Sequence, residues 1–148
     1  MPAFAKYRGI KLDPRETLET LEETLKELSE ASKFIPIIVE GLKDRMALRS
    51  LGVNGHIVVL NDGESILRTC EKLADQWSAL IIFTDWDQKG GELAHALADA
   101  LRAMEVSYDT EYRASVSVLV KKDIKDVESL PTLMRRLQTL SGSSRPMF

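Results

Sequence analysis

One cysteine, two histidines and no long apolar run set the first limits on this chain of 148 residues. A lone thiol, Cys70, cannot close an internal disulfide, and its place on the apolar side of a helical repeat reads as a small buried hydrophobe. One Cys and two His cannot build a four-ligand Cys/His zinc site. No stretch reaches the roughly 18 apolar residues of a membrane span. Met1 to Lys11 lacks the apolar centre of a secretory signal. Together these absences point to the cytoplasm and to no membrane partner. An excess of positive charge is missing too: 20 Lys and Arg face 23 Asp and Glu, a net charge of −3. Strong non-specific attraction to nucleic acid is therefore not expected, although a local basic groove is compatible with that total. The remaining composition, 44% hydrophobic and 29% charged, is that of an ordinary soluble domain with one core.

The stretch Ala79 to Gly91 organises the rest. It opens with a short apolar run, Ala79 to Phe83, the pattern of a strand buried on both faces. It ends in Asp-x-Asp. Asp85 and Asp87, two residues apart on extended chain, point to one side. Two carboxylates so close repel unless a cation or proton lies between them. A divalent cation, Mg²⁺ or Mn²⁺, answers that repulsion and keeps waters for a phosphate. The same Asp-x-Asp also suits a turn with a helix cap. Gly90-Gly91 frees the backbone for a tight turn before a helix.

Taken from the start, Pro2 to Lys11 has the charge of a basic arm, with Lys6, Arg8 and Lys11 beside Phe4 and Tyr7. Asp13-Pro14 starts a helix. Leu18, Leu21, Leu25 and Leu28 form its apolar stripe, and it ends near Ser32. Phe34 to Glu40 reads as the first strand, with Glu40 at its end and Gly41 next. Asp44 to Leu51 reads as a helix with Met46, Ala47, Leu48 and Leu51 inward. His56 to Leu60 is the second strand, followed by the turn Asn61-Asp62-Gly63. Ser65 caps a helix whose Ile66, Cys70, Leu73 and Trp77 share a face. After the third strand, Glu92 to Met104 is helical and Val106 to Tyr108 is a short fourth strand. Ser115 to Val120 alternates like a strand, yet Thr110 can cap a helix through Lys121; the helix is preferred. Asp126 to Leu140 reads as the last helix, with Pro131 able to break it early. Residues 141–148 form a loose tail.

Alternating strands and helices give an α/β fold: a mostly parallel sheet of about four strands flanked by helices. In such sheets ligands bind beyond the carboxyl ends of the strands. Glu40, Asp85 and Asp87 all fall at those ends, which favours the metal reading.

Three segments, joined by this strand and helix order, carry a family resemblance. They are Ile38-Val39-Glu40-Gly41, Leu48-Arg49-Ser50-Leu51-Gly52, and Phe83 through Gly91. The chain resembles the topoisomerase–primase (TOPRIM) domain, marked by a Glu after the first strand and Asp-x-Asp after the third. Ile124 to Leu130 is similar to segments of archaeal primase-like members. The whole chain is similar to small stand-alone TOPRIM proteins of archaea and bacteria, grouped with the ribonuclease that matures 5S ribosomal RNA. The resemblance implies a Rossmann-like TOPRIM domain over residues 33–140, preceded by an arm and amphipathic helix over 1–32. Topoisomerase activity is excluded for want of a domain bearing a tyrosine nucleophile. Primases carry zinc-binding or helicase-binding regions beside the TOPRIM core, and with one Cys and two His there is no four-ligand zinc site here, so a complete primase is not expected.

What the resemblance implies for chemistry is a Mg²⁺-dependent enzyme on nucleic-acid phosphodiesters, or a non-catalytic module binding RNA or a protein partner. RNA is favoured over DNA, and a homodimer is compatible. Glu40 would do acid/base or metal-binding work, and Asp85 and Asp87 would hold the cation. Lys43 and Lys89, a few residues away, would steady a phosphate or simply be solvated. His95 and His56 read as packed or exposed rather than catalytic. Trp86 could stack on a base, but packing against the sheet rim is preferred.

Overall fold

The computed structural model describes residues 12–60 and 63–142. The basic arm, Asp62 and the tail after Gly142 lie outside the described residues.

Asp13 opens α1 (Pro14–Ser32) with a reciprocal cap: its Oδ1 accepts the Glu16 N–H at 2.8 Å, and Glu16 Oε1 accepts the Asp13 N–H. The Leu18, Leu21, Leu25 and Leu28 stripe is buried as the spacing predicts. The chain continues through β1 (Ile37–Val39), α2 (Leu42–Ser50), β2 (Ile57–Val59), α3 (Ile66–Ala74), β3 (Ala79–Ile82), α4 (Gln88–Ala103), β4 (Ser107–Asp109), α5 (Glu111–Val120) and α6 (Leu130–Leu140). The four strands form one parallel sheet in the order β2-β1-β3-β4. The register pairs Ile37 with Ile57 on one side and with Ile81 on the other.

Strand alternation divides the core in two. Ile37, Val39, Ile81 and Phe83 point to the side of α1, α5 and α6. Ile38, Leu80 and Ile82 point to the side of α3 and α4. β1 and β3 are thus buried on both faces, which is why they read as unbroken apolar runs. No helix among the described residues is long and apolar enough to cross a membrane.

Four expectations need correction. The first strand is shorter than Phe34 to Glu40: it starts at Ile37, and Phe34 is 79% exposed. Met46 is 60% exposed; the inward face of α2 is Asp44, Ala47 and Leu48 instead. α4 begins at Gln88, four residues early, so Gly90 and Gly91 lie inside its first turns. The last helix begins at Leu130, with 121–129 irregular before it. Pro131 has no N–H to give the Val127 carbonyl and is tolerated only in a first turn.

Candidate metal centre

The chain leaves β1 towards β2 on one side and β3 towards β4 on the other, so the strand order reverses between β1 and β3. At such a switch point the two following loops part and leave a crevice at the carboxyl ends. Glu40 follows β1 and Asp85 follows β3. Glu40, Asp85 and Asp87 each bring one carboxylate oxygen to within 4.8 Å of the other two. The Asp85 N–H donates to Glu40 Oε2 at 2.8 Å, so the backbone of one strand end orients the acid of the other.

Each aspartate is held by a local bond as well. Asp87 is the N-cap of α4 and accepts the Gly90 N–H at 2.7 Å. The cap and the metal reading were alternatives in the sequence; one side chain occupies both positions. Asp85 Oδ1 accepts the Val127 N–H at 3.0 Å. Buried Thr84 donates its hydroxyl to the Gly90 carbonyl at 2.8 Å. Gly90 itself is required by crowding: a Cβ there would lie 1.9 Å from the Asp85 carbonyl oxygen.

The electrostatics are those of a site short of positive charge. Burial pushes the Asp85 carboxyl up to about 6, and the charges of Glu40, Asp126 and Asp87 add to the rise. Asp44 is also pushed up to about 6, by burial first and then by Asp85, although the Gly41 N–H donates to its Oδ2 at 2.9 Å. Half-buried Arg113 stands near the three acids without pairing with them. Its Nε donates to the Thr84 carbonyl at 3.0 Å and a terminal nitrogen to the Asp85 carbonyl at 2.7 Å. Burial lowers its pKa, opposed by Glu40, Asp85 and Asp87. Hard carboxylate oxygens converging around uncompensated negative charge fit Mg²⁺ or Mn²⁺.

Lys43 and Lys89 are exposed at the second positions of α2 and α4, the two helices that start beside the carboxylates. Neither forms an ion pair among the described residues. Trp86 packs, as preferred: its ring meets Phe83 edge-on at 6.5 Å and its indole N–H donates to the Ile124 carbonyl at 2.8 Å. His95 is exposed beside Asp99 at 3.3 Å, and His56 lies against Trp77 at 5.0 Å between ring centroids. Asp44 and Arg113 were not singled out from the sequence. Asp44 had a signal, the capping spacing from Gly41; Arg113 had none, because only the packing of α5 brings it here.

The profile of the Toprim domain matches residues 35–119. A UPF0292 protein of Methanosarcina barkeri is 36% identical over 129 residues, spanning 86% of this chain and 90% of that protein. A UPF0292 protein of Pyrococcus abyssi is 42% identical over 101 residues, spanning 68% and 75%. The solved structure of an Aquifex aeolicus protein superposes with a TM-score of 0.64 at 26% identity, covering 74% of this chain and 96% of that one. Toprim domains are modules of nucleic-acid metabolism that bind divalent metal ions. Matched over more than half its length by that profile, and more than a third identical to proteins of similar size, this chain belongs to the Toprim-domain family.

Proposed function

We propose that this Toprim domain is a Mg²⁺- or Mn²⁺-dependent enzyme acting on nucleic-acid phosphodiesters, with RNA favoured over DNA. The observation that carries the proposal is the meeting of Glu40, Asp85 and Asp87 at the switch point of the sheet. Asp85 and Asp87 would hold the cation, with Glu40 as its third contact or as the acid/base group. A bound cation supplies charge neutralisation at a phosphate and its leaving oxygen. The protein does the rest. The Asp85 amide fixes Glu40, Asp87 is fixed by the first turn of α4, and Val127 fixes Asp85. Exposed Lys43 and Lys89, free of acidic partners among the described residues, would steady the phosphate. Arg113 braces the end of β3 through its two carbonyl bonds.

One observation favours a second reading, a non-catalytic module that docks RNA or a protein through the same cation. With 20 Lys and Arg against 23 Asp and Glu, a net charge of −3, the chain has little general hold of its own on a polyanion. A protein partner or a second copy of the chain would then complete the grip.

Glu40→Gln separates the two readings. Gln keeps the size and can still accept the Asp85 N–H, but it cannot carry a proton. Under the enzyme reading the variant keeps its fold and nucleic-acid affinity and loses about 10²–10⁴-fold in rate. Cleavage and synthesis are assayed on structured RNA and on single- and double-stranded DNA, with Mg²⁺ or Mn²⁺ against chelator. Wild type inactive on every substrate removes the enzyme reading; equal turnover in Glu40→Gln removes the role of Glu40.

A further inference from the structure

We infer that the irregular segment between α5 and α6, residues 121–129, is a basic edge that receives the phosphate backbone of nucleic acid beside the carboxylate site. The inference rests on the nucleic-acid reading above and adds where the strand lies.

Three hydrogen bonds tie this segment to the Asp-x-Asp turn. The Trp86 N–H donates to the Lys125 carbonyl at 3.0 Å, the Trp86 indole N–H to the Ile124 carbonyl at 2.8 Å, and the Val127 N–H to Asp85 Oδ1 at 3.0 Å. Lys125 is therefore one hydrogen bond from the residue between the two aspartates. Of the segment's three acids, one is neutralised by an ion pair. Asp123 pairs with Arg136 at 3.1 Å. Asp126 accepts the Ser129 N–H at 2.9 Å. Asp126 and Glu128 keep their negative charge, which helps to raise the Asp44 pKa. The exposed residues of the segment are Lys121, Lys122, Asp123, Lys125 and Glu128, and none of the three lysines has an acidic partner among the described residues.

The distribution of the other lysines supports this edge. Lys33 pairs with Glu30 and Lys72 with Glu64. Of the unpaired lysines among the described residues, Lys43 and Lys89 start the two helices at the site, Lys121, Lys122 and Lys125 belong to the segment bonded to the Asp-x-Asp turn, and Lys26 lies on α1. Lysines after a helix also answer its dipole, and Lys125 Nζ does reach the Lys121 carbonyl at 3.2 Å. The dipole accounts for the end of α5 but not for the anchoring of the whole segment on the metal turn. In an acidic protein, an anion as dense as a phosphate backbone needs such a local concentration of cations.

The test is the salt dependence of binding to a fluorescein-labelled single-stranded oligoribonucleotide, read by anisotropy in chelator. Omitting metal keeps the carboxylate chemistry out of the measurement. A variant with Lys121→Gln, Lys122→Gln and Lys125→Gln should show a log K against log salt slope shallower by about 2, from roughly 0.7 per lost contact on single strands. A control with Lys26→Gln, Lys33→Gln and Lys72→Gln changes net charge equally and should keep the wild-type slope. Unchanged Mn²⁺ affinity in the first variant shows that the site is intact. Equal slopes for the two variants, or a wild-type slope in the first, overturn the basic edge and leave the proposed function standing. Wild type without salt-sensitive binding overturns the nucleic-acid reading itself.

Discussion

Asp85 answers two opposed demands. Its amide orients Glu40 and its carboxylate accepts from Val127, which requires it to stay in place. Yet burial and neighbouring acids favour its neutral form, and the same holds for Asp44. A carboxyl whose folded pKa is raised makes its full contribution to stability below its unfolded pKa. That contribution is lost as pH rises through the folded value. For these two groups the window runs from 3.8 to about 6. In chelator, the wild type should therefore lose stability across that window. Asp85→Asn should be more stable than wild type at about pH 7, on the order of 1–2 kcal/mol, with a flatter pH profile. Added Mn²⁺ should stabilise the wild type and not the variant. Urea denaturation at several pH values, with chelator or Mn²⁺, measures all three. A variant stabilised by Mn²⁺ as strongly as wild type takes Asp85 out of the metal site. At this scale the sequence showed Glu40, Asp85 and Asp87 because each ends an apolar run. Arg113 stayed hidden because nothing near it in the chain marks its carbonyl partners.

Two elements, the α4 start and α5, show how local signals compete. Asp87 begins α4 as its N-cap while facing the other acids, so charge and cap can be separated. Asp87→Asn keeps an oxygen for the Gly90 N–H and should stay within about 0.5 kcal/mol of wild type without metal, while losing metal binding. Asp87→Ala should lose both, with about 1 kcal/mol of stability. Chemical denaturation and Mn²⁺ titration of both variants check this, and equal stability of the two would deny the cap its energetic role. In α5 the alternating valines suggested a strand. The helix prevails because Val116 and Val120, four apart, reach the core while Val118 is exposed. The expected cap residue, Thr110, makes no side-chain cap bond; Asp109 Oδ1 takes the Glu111 N–H at 3.0 Å instead. Periodicity located the element, and the choice between two adjacent polar residues depended on the turn out of β4.

At the scale of the molecule, the alternation of elements made a parallel sheet legible, because each crossover has the length of one helix. The order β2-β1-β3-β4 was not legible: it depends on which neighbour each strand finds, and apolar runs of similar character do not encode that. The packing of α1 against α6 has a separate consequence. Arg15, in the first turn of α1, reaches the Ser141 carbonyl just past α6, at 3.4 Å, so the path through the described residues returns almost to where it began. A ring made by joining residue 12 to residue 142 through an added flexible linker should raise the free energy of unfolding by up to a few kcal/mol of lost unfolded-chain freedom. It should leave Mn²⁺ affinity as it was; a ring less stable than the open chain would mean that the closure strains α1 against α6. The same near-closure makes this domain a cassette, able to be reopened at another surface turn or carried whole within a loop of a host protein.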